Sequence, residues 1–278
     1  MTSPTHRRLP GAAVALSALL SALPAAAQLP PELARDRADF AAWLAEAPVS
    51  PLAAVAQQPV GGGIRLGPAD ADVPLAGVAE HRVTAERGVR LAGPGGARAL
   101  PRGLAVRLGA YTLVAAGPPA RAVLEVFGPT RKRLEPAYYE YRPAFAFEGP
   151  LSPPPRHGTV RVLGADGVEV EAAEAGSVEV RVGAELVRLR VLRMPSGGDE
   201  ESDLQVFFRD GTNGHGSYPA GRFVDLIPTQ AGRYRLDFNR ARNPFCAYST
   251  VYACPAPWPG NTFAAPVEAG ERYAAALE

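Results

Sequence analysis

The chain has 278 residues, with 29 Lys+Arg against 28 Asp+Glu, 29 Gly, 29 Pro and two Cys. A charge balance this close to zero argues against a nucleic-acid partner, which needs a basic face. The length allows one large core or two domains.

Residues 1–27 read as an export signal. Arg7 and Arg8 form a positive start, the run "GAAVALSALLSALPAAA" follows, and it ends in Ala25-Ala26-Ala27. Ser17, Ser21 and Pro24 interrupt the run, and it is shorter than the ~20 residues of a spanning helix. Cleavage is expected before Gln28, leaving a periplasmic or secreted chain with 27 Lys+Arg against 28 Asp+Glu, a net charge of about −1. No cysteine follows the run to carry a lipid, and no later stretch is long and apolar enough to cross a membrane. No integral membrane association is therefore expected after cleavage.

"PPELARDRADFAAWLAEAP" predicts a helix with Pro31 at its first position and Pro48 as its stop. Leu33, Phe40, Trp43, Leu44 and Ala47 form one stripe, which predicts a lid packed on the β domain through Trp43. From about Ile64 the hydrophobic period changes to two, and short runs rich in β-branched and aromatic residues alternate with Gly and Pro. "TVRVLGADGVEVEA" predicts a hairpin turning at Asp166-Gly167, and "SVEVRVGAELVRLRVL" a second turning at Gly183. "DLQVFFRD", "AGRFVDLI" and "GRYRLDFN" continue the pattern, while "PSGGDEES" reads as a solvated loop. The expected fold class is mainly β: an N-terminal helix followed by one or two antiparallel β-sandwich or barrel domains. The expected organisation is a signal over 1–27, a helix over 28–50, a β-sandwich over 51–150 and a C-terminal β domain over 151–278.

Chemistry-bearing residues crowd the C-terminal part. In "YPAGRFVDL", Arg222 shares the apolar face of Ala220 and Val224, so it needs a carboxylate or a ligand anion. Asp210 and Asp237 are the internal partners within range, and an Arg–Asp tie between strands is the plainer outcome. In "GRYRLDFNR", Tyr234, Leu236 and Phe238 alternate with Arg235, Asp237 and Asn239, and Asn243-Pro244 is expected to break the strand. One site is expected to gather Asp210, Arg222, Asp237, Asn239, Arg240, Asn243 and Tyr248. Its floor would be a loop closed by a Cys246–Cys254 disulfide. Exported cysteines pair by default, and closing nine residues adds about 2.5 kcal/mol. Zinc fits the cysteine spacing poorly, with only His157 and His215 to complete a site, and nothing local activates a catalytic cysteine. "DGTNGHGS" lacks the ending of a phosphate-cradling loop and the acids of a calcium loop, and reads as a turn.

Three readings follow. The first is an exported protein that binds a small molecule, anionic if Arg222 or Arg240 meets it. The second is a hydrolase with Asp210 or Asp237 as base and Arg222 or Arg240 stabilising charge. The third is a structural or protein-interaction module. No metal or cofactor is read from the sequence, and it carries no signal for an oligomeric state.

"FFRDGTNGHGSYPAGRFVDLI", "LDFNRARNPFCAYSTVYACPAPWPGN" and "PVEAGERY" together resemble the bacterial family of uncharacterised proteins catalogued as domain of unknown function 1684. The match is dense over 203–273 and looser before it. A weaker similarity runs from "IRLGPADADVPLAGVAEHRVTAERGVRL" to "VRLGAYTLVAA", which has the layout of a forkhead-associated sandwich: Asp72-Val73-x-Leu75, then His81, then Gly109 and Tyr111. Such domains grip phosphothreonine with a serine and an arginine, where this chain has Val78, Ala79 and Glu80. The similarity implies fold and no phosphopeptide reading.

Overall fold

The computed structural model describes residues 28–131, 133–195, 202–230 and 232–273. The expected export signal and most of the expected solvated loop lie outside them. The chain is mostly β with one helix, as its period implied.

Helix α1 (Pro31–Glu46) starts at the proline, where a missing N–H costs nothing, and buries Leu33, Phe40 and Leu44. Its carbonyl end is satisfied from outside: Arg131 Nη1 donates to Ala45 O at 2.6 Å, and Ser50 Oγ donates to Leu44 O at 2.6 Å.

Nine short strands follow: β1 (Ala54–Pro59), β2 (Ile64–Gly67), β3 (Val73–Pro74), β4 (His81–Thr84), β5 (Arg90–Gly93), β6 (Gly96–Ala99), β7 (Val106–Leu108), β8 (Tyr111–Ala116) and β9 (Val123–Phe127). They form a four-stranded sheet, β1-β9-β8-β7, and a five-stranded sheet, β3-β2-β4-β5-β6. Leu66, Val83 and Leu91 from one sheet meet Leu113, Leu124 and Val126 from the other in a single core, so this unit is a two-sheet sandwich.

The second unit is a seven-stranded antiparallel sheet, in the order β10-β16-β15-β14-β13-β12-β11. Its strands are β10 (Ala146–Pro150), β11 (Thr159–Leu163), β12 (Glu169–Val182), β13 (Glu185–Pro195), β14 (Ser202–Phe208), β15 (Arg222–Gln230) and β16 (Arg233–Asp237). The hairpins fall where expected, with Gly167 at φ 71° and Gly183 at φ 60° turning the chain. β10 pairs with β16, so this sheet begins ahead of the proline-rich stretch that follows Leu151. The sheet also curls: Ser152 and Ser177 exchange backbone hydrogen bonds at 2.9 Å, bringing the β10 end round to β12.

Inside the curl, Val180, Leu189, Val206, Phe208, Val224 and Leu236 pack with Phe238 and with Phe263, Val267 and Ala269 of the C-terminal tail. The outer face holds a smaller cluster in which Phe207 stacks on Phe223 at 4.3 Å under Trp258. The two β units keep separate cores and meet at a polar seam. There Gln57 Nε2 donates to Glu125 Oε1 at 3.2 Å and to Asp166 O at 2.8 Å.

Candidate functional site

Arg222 is the largest fully buried side chain among the described residues, with its guanidinium inside the curled sheet. One of its ends, Nη2, donates to Asp210 Oδ2 at 2.9 Å and to Val267 O at 2.9 Å. The other, Nη1, donates to Ala269 O at 2.5 Å and to Glu271 O at 3.2 Å. Asp210 is equally closed in: its Oδ1 accepts from the amides of Thr212 (2.8 Å) and Val267 (3.0 Å) and from the Thr212 hydroxyl (2.7 Å). This is the strand tie the apolar face of Arg222 implied, but its main partner besides Asp210 is the backbone of the tail. With both Asp210 oxygens engaged and no side-chain exposure, the carboxylate is closed off from any substrate at the surface.

The strand ends earlier than expected. The break comes after Asp237, not at Asn243-Pro244, because Asp237 caps a 3₁₀ turn over Phe238–Arg240 by accepting from the Asn239 amide at 3.0 Å. Asp237 and Asn239 are consequently buried, not displayed on an outer face. Asn239 pins the segment before β10 by exchanging hydrogen bonds with the Arg142 backbone at 3.0 and 3.1 Å. Arg240 leaves this turn toward α1, with long contacts to Asp36 (3.6 Å) and Asp237 (3.9 Å).

Asn243 and Tyr248 meet at a residue the sequence did not single out, Glu271. Its Oε2 accepts from the Asn243 amide at 2.9 Å, and its Oε1 accepts from the Tyr248 hydroxyl at 2.5 Å. Burial, opposed by these hydrogen bonds and by Arg242, pushes Glu271 up to about 7. Asn243, Tyr248 and Glu271 line a cavity of about 240 Å³ with Leu134 and Tyr273. Gly270, at φ 75°, allows the tail to pass here: a Cβ would lie 2.5 Å from Phe238 O.

The expected Cys246–Cys254 bond is absent. Both residues are free thiols, Cys246 buried and Cys254 exposed, in hydrogen-bond contact with each other and with Tyr218. Burial pushes the Cys246 thiol up to about 12, far from a nucleophile's range. The loop's shape rests instead on Phe245 against Tyr252 (5.5 Å) and on the Tyr248–Glu271 hydrogen bond.

A cleft of about 620 Å³ lies between α1 and the outer face of β14–β15. Asp36, Asp39, Phe40 and Trp43 form its roof. Gln205, Phe223, Asp225 and Ile227 lie on the strands below, and Arg240, Arg242, Asn243 and Phe245 close one side. α1 is held over it by Arg242, which bonds Asp36 at 2.9 Å and stacks on Phe40 at 4.0 Å. Trp43 packs on Phe245 at 5.8 Å and Phe40 on Tyr248 at 6.3 Å, so the lid expected of the stripe is present.

The seven expected site residues therefore do not surround one cavity. They form a chain of contacts: Asp210 holds Arg222, Arg222 holds the main chain of Glu271, and the Glu271 side chain holds Asn243 and Tyr248. Asp237, Asn239 and Arg240 form a separate turn facing α1. Of the seven, only Arg240 and Asn243 line the large cleft. Asp36, Asp225 and Arg242 were missed. Their one legible signal was the spacing of Asp36, Phe40 and Trp43 at i, i+4 and i+7, which places an acid on the lid's apolar stripe. Among the described residues no group of three or more His, Cys, Asp or Glu could hold a metal, and no helix is long and apolar enough to cross a membrane.

A family model described as "Protein of unknown function (DUF1684)" matches residues 135–272. An uncharacterized protein of Haloarcula marismortui, known from a solution NMR structure, is 32% identical. That match covers 49% of this chain and 75% of that one, with a TM-score of 0.42. No curated protein matches.

Two outcomes are expected. Arg222→Ala leaves Asp210 buried and unpaired and releases three tail carbonyls, so it costs about 3–5 kcal/mol in urea unfolding. A cost under about 1 kcal/mol would contradict the network. The second concerns pH. Glu271 and Glu125 both sit at about 7 when folded, above the usual 4.5. The folded state therefore holds protons that the unfolded state has released. Their contribution is complete below about pH 4.5 and is lost as pH rises through 7, roughly 3 kcal/mol for Glu271 alone. Melting scans from pH 5 to 8 should show a falling Tm whose slope Glu271→Gln reduces; an unchanged slope would contradict the assignment.

Proposed function

We propose that this chain, which belongs to the DUF1684 family of proteins of unknown function, binds a small molecule with an apolar body and an anionic group in the cleft beneath α1. The observation that carries this is Arg240. It is a half-buried guanidinium lining a 620 Å³ opening, and its carboxylate contacts of 3.6 and 3.9 Å are too long for direct hydrogen bonds. Arg222, by contrast, is fully buried, with both terminal nitrogens already engaged. A ligand carboxylate or phosphate would give Arg240 the bidentate partner it lacks, and Phe223, Phe245 and Trp43 offer its body an aromatic wall. The cleft volume falls in the range of small-molecule sites, roughly 300–1,000 Å³.

The test uses 3-phenylpropanoate and phenyl phosphate as probes. Trp43 lines the cleft while Trp258 is 2% exposed, so binding should change the emission of Trp43. Arg240→Ala should weaken binding at least tenfold and shift Tm by no more than about 2 °C, as expected for loosely paired, half-exposed charges. Binding indifferent to Arg240→Ala, or no binding of either probe, would overturn the proposal.

We further propose that the protein acts outside the cytoplasm after cleavage before Gln28, three residues ahead of α1. What supports this is the charged, apolar and small-residue order of residues 1–27. An oxidising compartment would then join the adjacent Cys246 and Cys254 thiols. Intact mass of exported protein, measured denatured without reductant, should fit a chain starting at Gln28 and lacking two hydrogens. Retention of Met1–Ala27, or two thiols open to alkylation, would contradict the respective part.

A further inference from the structure

The cleft has a second pole, and it lies on the strand beneath the lid. Phe223, Asp225 and Ile227 alternate with the core residues Val224 and Leu226 along β15, so all three project from the outer face of the sheet. Asp225 sits opposite Gln205 of β14, and its Oδ1 accepts from Gln205 Nε2 at 2.9 Å. Its other carboxylate oxygen makes no hydrogen bond among the described residues. No ion pair reaches Asp225 there either, although Arg242 lines the same cleft, because Arg242 is spent on Asp36 and Phe40.

Phe223 and Arg242 exchange backbone hydrogen bonds at 2.8 Å as an antiparallel bridge. Asp225 lies two residues further along β15 and Arg240 closes the 3₁₀ turn just before Arg242, and both line the cleft. An exposed carboxylate with a single hydrogen bond and a loosely paired guanidinium thus face the same cleft, with Phe223, Trp43 and Phe245 also lining it. Asp225 is exposed as a residue, but crowding by the cleft walls raises the pKa of its carboxyl, with Asp203 and Asp36 adding to the shift and the Gln205 hydrogen bond and Arg242 opposing it. The potential around Asp225 favours a cation.

We infer that the ligand is a small zwitterion, an amino acid with an aromatic or branched apolar side chain. Its carboxylate lies on Arg240, its ammonium donates to Asp225 and its side chain lies against Phe223, Trp43 and Phe245. This rests on the anion site proposed above and adds the amine. The chemistry of the two poles selects against a plain fatty or aryl acid, which would bring an apolar body beside the Asp225 carboxylate and offer it no cation. It also selects against a plain amine, which would leave Arg240 without a partner. Phosphate in place of carboxylate would still satisfy Arg240, so the anionic group could be either, whereas the amine is the discriminating feature.

Isothermal titration of the full chain with three probes tests this: L-phenylalanine, 3-phenylpropanoate and 2-phenylethylammonium. Phenylalanine should bind at least tenfold more tightly than either single-pole probe. Asp225→Asn should weaken phenylalanine at least fivefold more than it weakens 3-phenylpropanoate, and Arg240→Ala should weaken both. If 3-phenylpropanoate binds as tightly as phenylalanine, or if Asp225→Asn affects the two equally, the amine pole is wrong and the anion site stands. If 2-phenylethylammonium binds best and ignores Arg240→Ala, the anion site is wrong. If none of the three binds, both readings fall together.

Discussion

Arg222 carries a full charge on a side chain wholly shut off from the surface, and the fold of the C-terminal unit follows from how that charge is met. A guanidinium has five donors in a fixed plane and cannot shed its proton, so its partners must come to it. Asp210 supplies the countercharge, and three tail carbonyls, those of Val267, Ala269 and Glu271, supply the other acceptors for the two terminal nitrogens of Arg222, while its Nε is left without a partner among the described residues. A segment without regular secondary structure is thereby fixed to the inside of a sheet as firmly as a strand would be. The glycine-rich turn after Asp210 serves the same end, since Thr212 spends both its amide and its hydroxyl on Asp210.

Once the tail is fixed, Glu271 has only one place to be. It reaches across to the Asn243 amide and the Tyr248 hydroxyl, and so positions the turn from which Arg240 and Arg242 extend. Those two arginines face α1 and pair with Asp36, which holds the helix over the sheet while leaving the cleft open beneath it. The large opening thus depends on a buried ion pair that lines no part of it. Stability is spent on positioning, and the groups left loosely satisfied, Arg240 and Asp225, are the ones facing the opening. That division is what a binding site built on a rigid support requires.

Much of the fold was legible. The β11–β12 and β12–β13 hairpins announce themselves because period-two runs meet Asp166-Gly167 and Gly183, where a positive φ is needed. Arg222 on an apolar strand face was legible as a charge in need of a partner, and Asp210 was the correct one. Illegible were contacts with backbone, because a carbonyl carries no residue signature: nothing in "PVEAGE" says that its oxygens face an arginine. The end of β16 was misplaced because Asp237 competes locally as a cap, a stronger signal than the proline seven residues later. The cleft was hidden because its roof and side come from residues about 200 positions apart, and the acid on the helix stripe, Asp36, stood out only by its spacing from Phe40 and Trp43. The cysteines read as a staple from compartment logic, whereas the loop is shaped by Tyr248 and Phe245.

The account stands on the claim that Arg222 fixes the tail and, through it, the Asn243–Tyr248 loop under the lid. Amide hydrogen exchange in Arg222→Lys tests it most directly, because lysine keeps the charge for Asp210 but cannot bridge three carbonyls. The account predicts that the amides of Val267, Glu271 and Asn243 lose protection together while those of Leu113 and Leu124 in the N-terminal sandwich keep theirs. Undiminished protection at Glu271 and Asn243 would contradict it.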